Sequence, residues 1–497
     1  MSSALDQLKQ RLYDINALHC AVGIFDWDQQ TYMPPLASEA RGRHVGTLTR
    51  MAHELLTDDR TGQLIEAAAE VAVTDEDRGL VRLAKRQFEL ATKLPADFVE
   101  TKARATTHGH EVWVAARRAN DFAAFAPVLE QIMDLSRREA EYFGYSEHIY
   151  DALLDQYEEG ATASDVRAMF DAIRQPLVDL IQAIGASEVK PNAQLLIGDW
   201  DPAAQKQMAE EMLRAIGFDF DRGRLDVAPH PFCSGWSVND VRLTNRYQNY
   251  LGTAIYGALH EGGHGLYEQN APLEWDGLPI AGGVSLGVHE SQSRLWENIV
   301  GRSRGFCRHF LPKLQERFSA LAGTTEDEFY AAVNRVHPSE IRVEADEVTY
   351  NMHIMLRFEL ECDLLEGTLA IKDVPEVWNE KMRAYLGVTP SSDAQGCLQD
   401  VHWSSGGVGY FPTYSMGNLL SYQIWECLQR DLGDTDALIA EGNFAPILEW
   451  LVEKVYRLGS VYTPRETVIR VTGKPMGAVD YLRGISSKYQ DLYRLKN

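Results

Sequence analysis

No two of the six cysteines, Cys20, Cys233, Cys307, Cys362, Cys397 and Cys427, stand at C-x-x-C spacing. That excludes a thiolate metal finger and a thioredoxin-like redox pair. Scattered thiols in a long chain point to a reducing, cytoplasmic setting. There is no run of 18 apolar residues, so no helical membrane span is expected. The opening Met1-Ser-Ser-Ala-Leu-Asp-Gln-Leu-Lys-Gln lacks the apolar stretch of a secretory leader. Positive charge is scarce: 48 Lys and Arg against 72 Asp and Glu leave a net charge of -24. Such a surface repels phosphate backbones and anionic lipid, so neither nucleic acid nor membrane is an expected partner. Internal repeats and low-complexity tracts are also missing.

What is present is a 497-residue chain, 45% apolar, long enough to bury a large core. The first 185 or so residues read as a helical scaffold. Leu80, Ala84, Phe88 and Ala91 recur at helical spacing, as do Phe125, Val128, Leu129, Ile132 and Leu135. Pro34-Pro35 ends an early helix. The middle section, about 186–420, changes character. Val241 and Leu243 alternate with Asp240, Arg242 and Thr244, which predicts a strand with one polar face. Helical pattern resumes near Thr253. The stretch from Thr389 to Gly417 is aperiodic and rich in Gly and Ser, but its aromatics argue for an ordered, functional loop. The last section, about 421–497, is helical again.

The segment His260-Glu-Gly-Gly-His264 is an H-E-x-x-H motif. Residues four apart share a helix face, so both imidazoles can point at one ion. Glu261 lies about 100° round the helix, beside the ion and able to take a proton from a water there. Chance would produce this pattern only roughly 0.03 times in a chain of this composition. Apolar Ala254, Ile255, Ala258 and Leu259 mark a buried helix, where idle histidines would be costly. Gly262, Gly263 and Gly265 each weaken a helix by up to about 1 kcal/mol relative to Ala. Packing must therefore hold this helix, or something must approach its backbone closely. Two imidazoles plus one carboxylate suit zinc, with the fourth position left to water. Among Glu268, Glu274 and Glu290, the last is favoured as third ligand, because it opens an amphipathic run able to form a second helix packed on the first.

A set of short motifs, in order, now becomes legible: Trp27 to Pro35, His230-Pro-Phe, Asp240-Val-Arg-Leu-Thr244, His260-Glu-Gly-Gly-His264, His289-Glu-Ser-Gln292, Ile341-Arg-Val-Glu-Ala-Asp346 and Gly396-Cys-Leu-Gln-Asp-Val-His-Trp403. Together they resemble the thermostable metallocarboxypeptidases of the carboxypeptidase Taq type. The resemblance implies a mainly α, large helical, neurolysin-like fold with a deep active-site cleft. The predicted strand adds a small β-sheet beside the metal helix, and the whole chain, 1–497, reads as a single peptidase domain. The resemblance further implies removal of single residues from peptide C-termini, a divalent ion that is zinc or cobalt, and a homodimer.

A carboxypeptidase has to recognise a terminal carboxylate, and Arg342 offers a bidentate fork for it; the bland reading pairs it with Glu344 or Asp346. Downstream, Asp346, Tyr350, His353 and Arg357 are expected to share one polar helix face lining the cleft, against a solvated outer face. Arg294, i+4 from Glu290, is expected to pair with it. Tyr410 or Tyr414 could donate to the developing oxyanion, the other serving as packing. His230 and His402 could contact substrate or orient ligands. Arg242, on the polar face of its strand, could meet a peptide pairing with an edge strand. Two readings compete with the carboxypeptidase: an endopeptidase or oligopeptidase with the same zinc chemistry, and a non-catalytic helical protein with a structural zinc. An intact Glu261 and only three protein ligands argue against the second, since structural sites are usually closed by four.

Overall fold

The structure, a computed structural model, describes residues 3–495. It is 69% helical with one three-stranded sheet. No helix among the described residues is long and apolar enough to cross a membrane. The chain divides into two compact units. One comprises Met1–Thr92, Asn192–Val333 and Ser421–Pro475; the other comprises Lys93–Pro191, Asn334–Leu420 and Met476–Asn497.

In the first unit, the helix Ala4–Thr31 begins with a reciprocal cap between Ser3 and Asp6 and stops before the Pro34-Pro35 pair. Its Leu8 and Leu12 pack with Ile65, Ala68, Leu80 and Ala84 of the next helices and with Ile280 and Val461. The sheet is built from β1 (Gly223–Val227), β2 (Cys233–Ser237) and β3 (Asp240–Asn245), in the order β1-β3-β2. β3 pairs parallel with β1 and antiparallel with β2. The predicted alternation holds from Asp240 to Leu243, with Val241 and Leu243 buried, but fails at Thr244, which is buried as well. β3 is the central strand, so an edge for a peptide is offered by β1 or β2 and not by the strand that carries Arg242.

The helix Leu251–Gln269 lies on β3 and is buried on nearly every side. Its glycines answer the question the sequence raised. A Cβ on Gly263 would come 2.5 Å from the carbonyl oxygen of Gln292, so the helix Leu286–Arg294 packs backbone against backbone there. A Cβ on Gly265 would meet Leu243 of β3 at 2.9 Å. The helix-propensity cost is offset by these close approaches, which bring the second carboxylate-bearing helix near.

In the second unit, the helices Ala96–Ala119 and Phe122–Phe143 form a hairpin turned at left-handed Asn120, with Asp121 capping the second helix. The helix Tyr350–Glu366 is buried almost throughout, including its polar His353, Arg357 and Glu361, each 0% exposed. A solvated outer face is thereby excluded. Asp346 does not belong to that face. It precedes the helix, and its Oδ1 accepts the amides of Val348 and Thr349. The aromatic-rich loop ends earlier than its composition suggested. Pro412 starts the helix Pro412–Leu432, a first-turn position where its missing N–H costs nothing, so Tyr414 is helical.

Candidate active site

Two buried polar clusters carry most of the expected site residues, one in each unit. In the first unit, helical spacing brings His260 and His264 to one face, and the helix Leu286–Arg294 presents Glu290 opposite them. Glu290 Oε2 lies 3.6 Å from His260 Nε2 and 3.4 Å from His264 Nε2. One donor atom from each residue lies within 4.8 Å of the others, so all three can reach one ion.

The outward nitrogens of both rings are occupied. His260 Nδ1 is 2.9 Å from Glu297 Oε2. His264 Nδ1 is 2.6 Å from His289 Nδ1, and His289 Nε2 is 2.7 Å from Glu268 Oε1. With each Nε2 lone pair directed at the cluster, each Nδ1 bears the proton and donates outward. His289 then accepts at Nδ1 and donates from Nε2 to Glu268. This fixes both tautomers and ring orientations. Arg294 pairs with Glu290 at 2.7 Å, as its spacing predicted, and with Glu297 at 3.2 Å, while Arg302 reaches Glu297 at 3.3 Å.

Burial lowers the basicity of His260, but Glu290 and Glu297 outweigh it and raise the imidazole to about 8. Burial, with the neighbouring His289 and His260, brings His264 down to about 3. Glu290 is held below the usual carboxylate range by Arg294 and His260 against the effect of burial. Burial, reinforced by Glu290 and Glu297, pushes Glu261 up to about 7. Three acidic side chains, Glu268, Glu290 and Glu297, thus face two guanidiniums, Arg294 and Arg302. With both imidazoles neutral, as ligands must be, the surplus is negative, and the converging donors are two imidazoles and a carboxylate. Both features fit a divalent cation.

The second unit carries the opposite surplus. Arg342 directs Nε and Nη2 to Asp400 Oδ1, each at 2.9 Å, and Nη1 to the Tyr350 hydroxyl at 2.9 Å. Its partner is therefore Asp400 rather than Glu344 or Asp346. Arg357, fully buried, donates from Nε to Asp400 Oδ2 at 2.7 Å and from Nη1 to the His353 carbonyl. Burial opposes ionisation of Asp400, yet Arg357 and Arg342 hold it well below the usual carboxylate range. Two guanidiniums share one carboxylate.

Tyr414 and Phe411 stack under Arg342, with the guanidinium 5.1 and 5.8 Å from their ring centroids. His402 Nε2 is 3.4 Å from the Tyr414 hydroxyl, and its ring packs on Phe411 and Tyr410. Burial brings His402 down to about 4, so it is neutral. Arg342, His402, Tyr410 and Tyr414 are thus one neighbourhood. His230 and Arg242 are not drawn into either cluster. His230 is exposed between β1 and β2. Arg242 is taken up by Asp240 at 2.8 Å and by the faces of Trp27 and Trp236.

Residues 7–489 match the family described as carboxypeptidase Taq (M32) metallopeptidase. The thermostable carboxypeptidase 1 of Thermus thermophilus is 40% identical over 482 residues, 94% of each chain. That of Pyrococcus furiosus is 38% identical over 98% of this chain and 99% of its own. The chain belongs to the carboxypeptidase Taq (M32) metallopeptidase family. Solved structures agree. A Pyrococcus furiosus carboxypeptidase superposes with a TM-score of 0.96 at 38% identity, covering 98% of this chain and 99% of that one. The M32 carboxypeptidase from Deinococcus radiodurans gives 0.96 at 38%, covering 99% of both.

Membership makes the protein a peptide hydrolase of the metallocarboxypeptidase class, working with a divalent metal. It decides against the endopeptidase and structural-zinc readings. Sequence reasoning passed over three residues that the geometry brings forward. Glu297 sits seven residues past Glu290, a two-turn spacing that could have marked it. Its helix widens to π geometry over Leu295–Val300, which the sequence does not announce. Asp400 stood inside the Gly396–Trp403 motif, but its pairing with Arg342 and Arg357 gave no local signal, and Glu361 gave none at all, because their partners are distant in the chain.

Proposed function

We propose that the protein removes single residues from free peptide C-termini with an ion held by His260, His264 and Glu290, zinc by preference and cobalt as second choice. The observation that carries this reading is the convergence of His260 Nε2, His264 Nε2 and Glu290 Oε2 beside buried Glu261. A divalent ion there supplies Lewis acidity, polarising the scissile carbonyl and acidifying a water. Glu297 and the His289–Glu268 pair keep both imidazole donors aimed inward. Glu261 takes the proton of the attacking water and returns it to the leaving amine. A general base works best with a pKa near the operating pH, and burial has moved Glu261 that way.

Arg342 is the proposed reader of the terminal carboxylate. Its Nη1 edge donates to the Tyr350 hydroxyl, and the trio with Arg357 and Asp400 carries surplus positive charge in a protein of net charge -24. Tyr410 or Tyr414 supplies a hydrogen bond to the developing oxyanion. His402, His230 and Arg242 are proposed substrate contacts. The chain is proposed to act as one peptidase domain in a cytoplasmic homodimer; six free thiols fit a reducing compartment. The test is mass spectrometry of products from a short unblocked peptide and from its C-terminally amidated twin. Stepwise loss of single C-terminal residues from the free peptide, and strong impairment on the amide, is expected. Equal cleavage of both would mean an endopeptidase.

A further inference from the structure

Glu361 is a fully buried carboxylate outside every motif and outside both clusters described above. It lies on the helix Tyr350–Glu366, and its hydrogen-bond partners are three neutral donors. Oε1 accepts from the Trp403 indole at 2.9 Å. Oε2 accepts from the Gly409 amide at 3.2 Å and from the Tyr150 hydroxyl at 2.7 Å. Trp403 directly follows His402, and Gly409 directly precedes Tyr410. The two oxygens therefore grip the two ends of one short loop, each next to a proposed site residue. Gly409 is also fixed from its other side. It has φ +92, and a Cβ there would lie 2.8 Å from the backbone of Leu153 and Leu154.

We propose that Glu361 is a positioning residue that clamps the loop from Trp403 to Gly409 and thereby sets the placement of His402 and Tyr410. This rests on the reading that the loop acts on the substrate. A carboxylate is suited to the task because all three partners can donate. A glutamine has one acceptor oxygen. Its NH2 could face the phenol, which can turn and accept, but neither an indole nor an amide N–H can do so. Glutamine must therefore leave one end of the loop unpinned. Burial pushes the carboxyl up to about 7, while Tyr150, Trp403 and Gly409 favour the charged form. The site thus carries a desolvated acid where an apolar side chain would pack without that cost.

Glu361→Gln, Trp403→Phe, Tyr150→Phe, Tyr410→Phe, His402→Gln and the Glu361→Gln/Tyr410→Phe double variant are compared for kcat, KM, Tm and bound metal. Loosening either end of the loop should lower kcat at least about tenfold in Glu361→Gln and Trp403→Phe, with KM changed far less and metal retained. Tyr150→Phe removes a donor outside the loop and should lower Tm while leaving kcat within about twofold. In the Tyr410→Phe background, Glu361→Gln should lower kcat by a smaller factor than in the parent, because part of its effect passes through Tyr410 and only the part through His402 is left. If Glu361→Gln does not fold, Trp403→Phe against Tyr150→Phe decides the question. Equal kcat losses in those two, or additive losses in the double variant, would overturn the clamp. Impaired Tyr410→Phe beside normal Glu361→Gln and Trp403→Phe would overturn the clamp alone. Normal kinetics in Tyr410→Phe and His402→Gln would remove the loop reading and the clamp with it.

Discussion

The two units bury opposite charge surpluses, and each surplus describes a ligand. Around His260 and His264, Glu268, Glu290 and Glu297 outnumber Arg294 and Arg302. Around Asp400, Arg342 and Arg357 outnumber the single carboxylate. Buried charge is expensive unless matched, so a standing imbalance in an ordered interior needs a compensating ion. In the first unit the donor set suits a cation; in the second, the proposed role of Arg342 calls for an anion such as a peptide carboxylate. Under the proposed roles, attack on the peptide bond and recognition of its terminus call for fields of opposite sign.

The sharpest break of this comparison is at the metal. Glu290→Ala deletes the carboxylate donor and cancels the local surplus, so bound metal and activity should both disappear. Stoichiometric metal retained in the purified variant would remove the ligand assignment. Next comes Glu261→Gln, which keeps the donors and should keep the metal and the fold. Loss of the base should lower kcat by at least about 100-fold. Near-normal turnover with metal bound would show that another group takes the proton.

On the positive side the effect should be smaller. Charge-assisted hydrogen bonds contribute about 1.5–3 kcal/mol, so Arg342→Ala should lower kcat/KM at least about tenfold. It should also lose most of its preference for free over amidated peptides. Undiminished discrimination in the variant would move carboxylate reading to another arginine. The least effect concerns stability and pH. Glu361 is raised by burial from an ordinary 4.5 to about 7. Between those values the unfolded chain is ionised there while the folded chain holds its proton, so stability falls as pH rises through that window. Asp400 has the opposite sign: lowered from 3.8 by Arg357 and Arg342 despite burial, it contributes stability above that value and loses it as pH falls. Tm measured against pH should decline less between pH 4.5 and 7 in Glu361→Gln than in the parent. Identical slopes would show that Glu361 does not carry this linkage.

The sequence by itself determined whatever depends on neighbours along the chain. Helical periodicity marked the long helices, period-two alternation marked β3, and i,i+4 spacing placed His260 and His264 on one face and Arg294 on Glu290. Those features follow from 3.6- and 2-residue repeats, which any short window displays. The ordered motifs also sufficed to identify the family. Only the tertiary structure decided that β3 is the central strand, that Asp346 holds the turn before a helix instead of joining its face, and that Tyr414 lies in a first turn. It also decided the partners of the buried charges: Asp400 for Arg342 across 58 residues, Glu297 for His260 across 37, and Tyr150 for Glu361 across 211. A buried polar group must find its complement wherever packing places it, and that complement leaves no periodic trace in the chain.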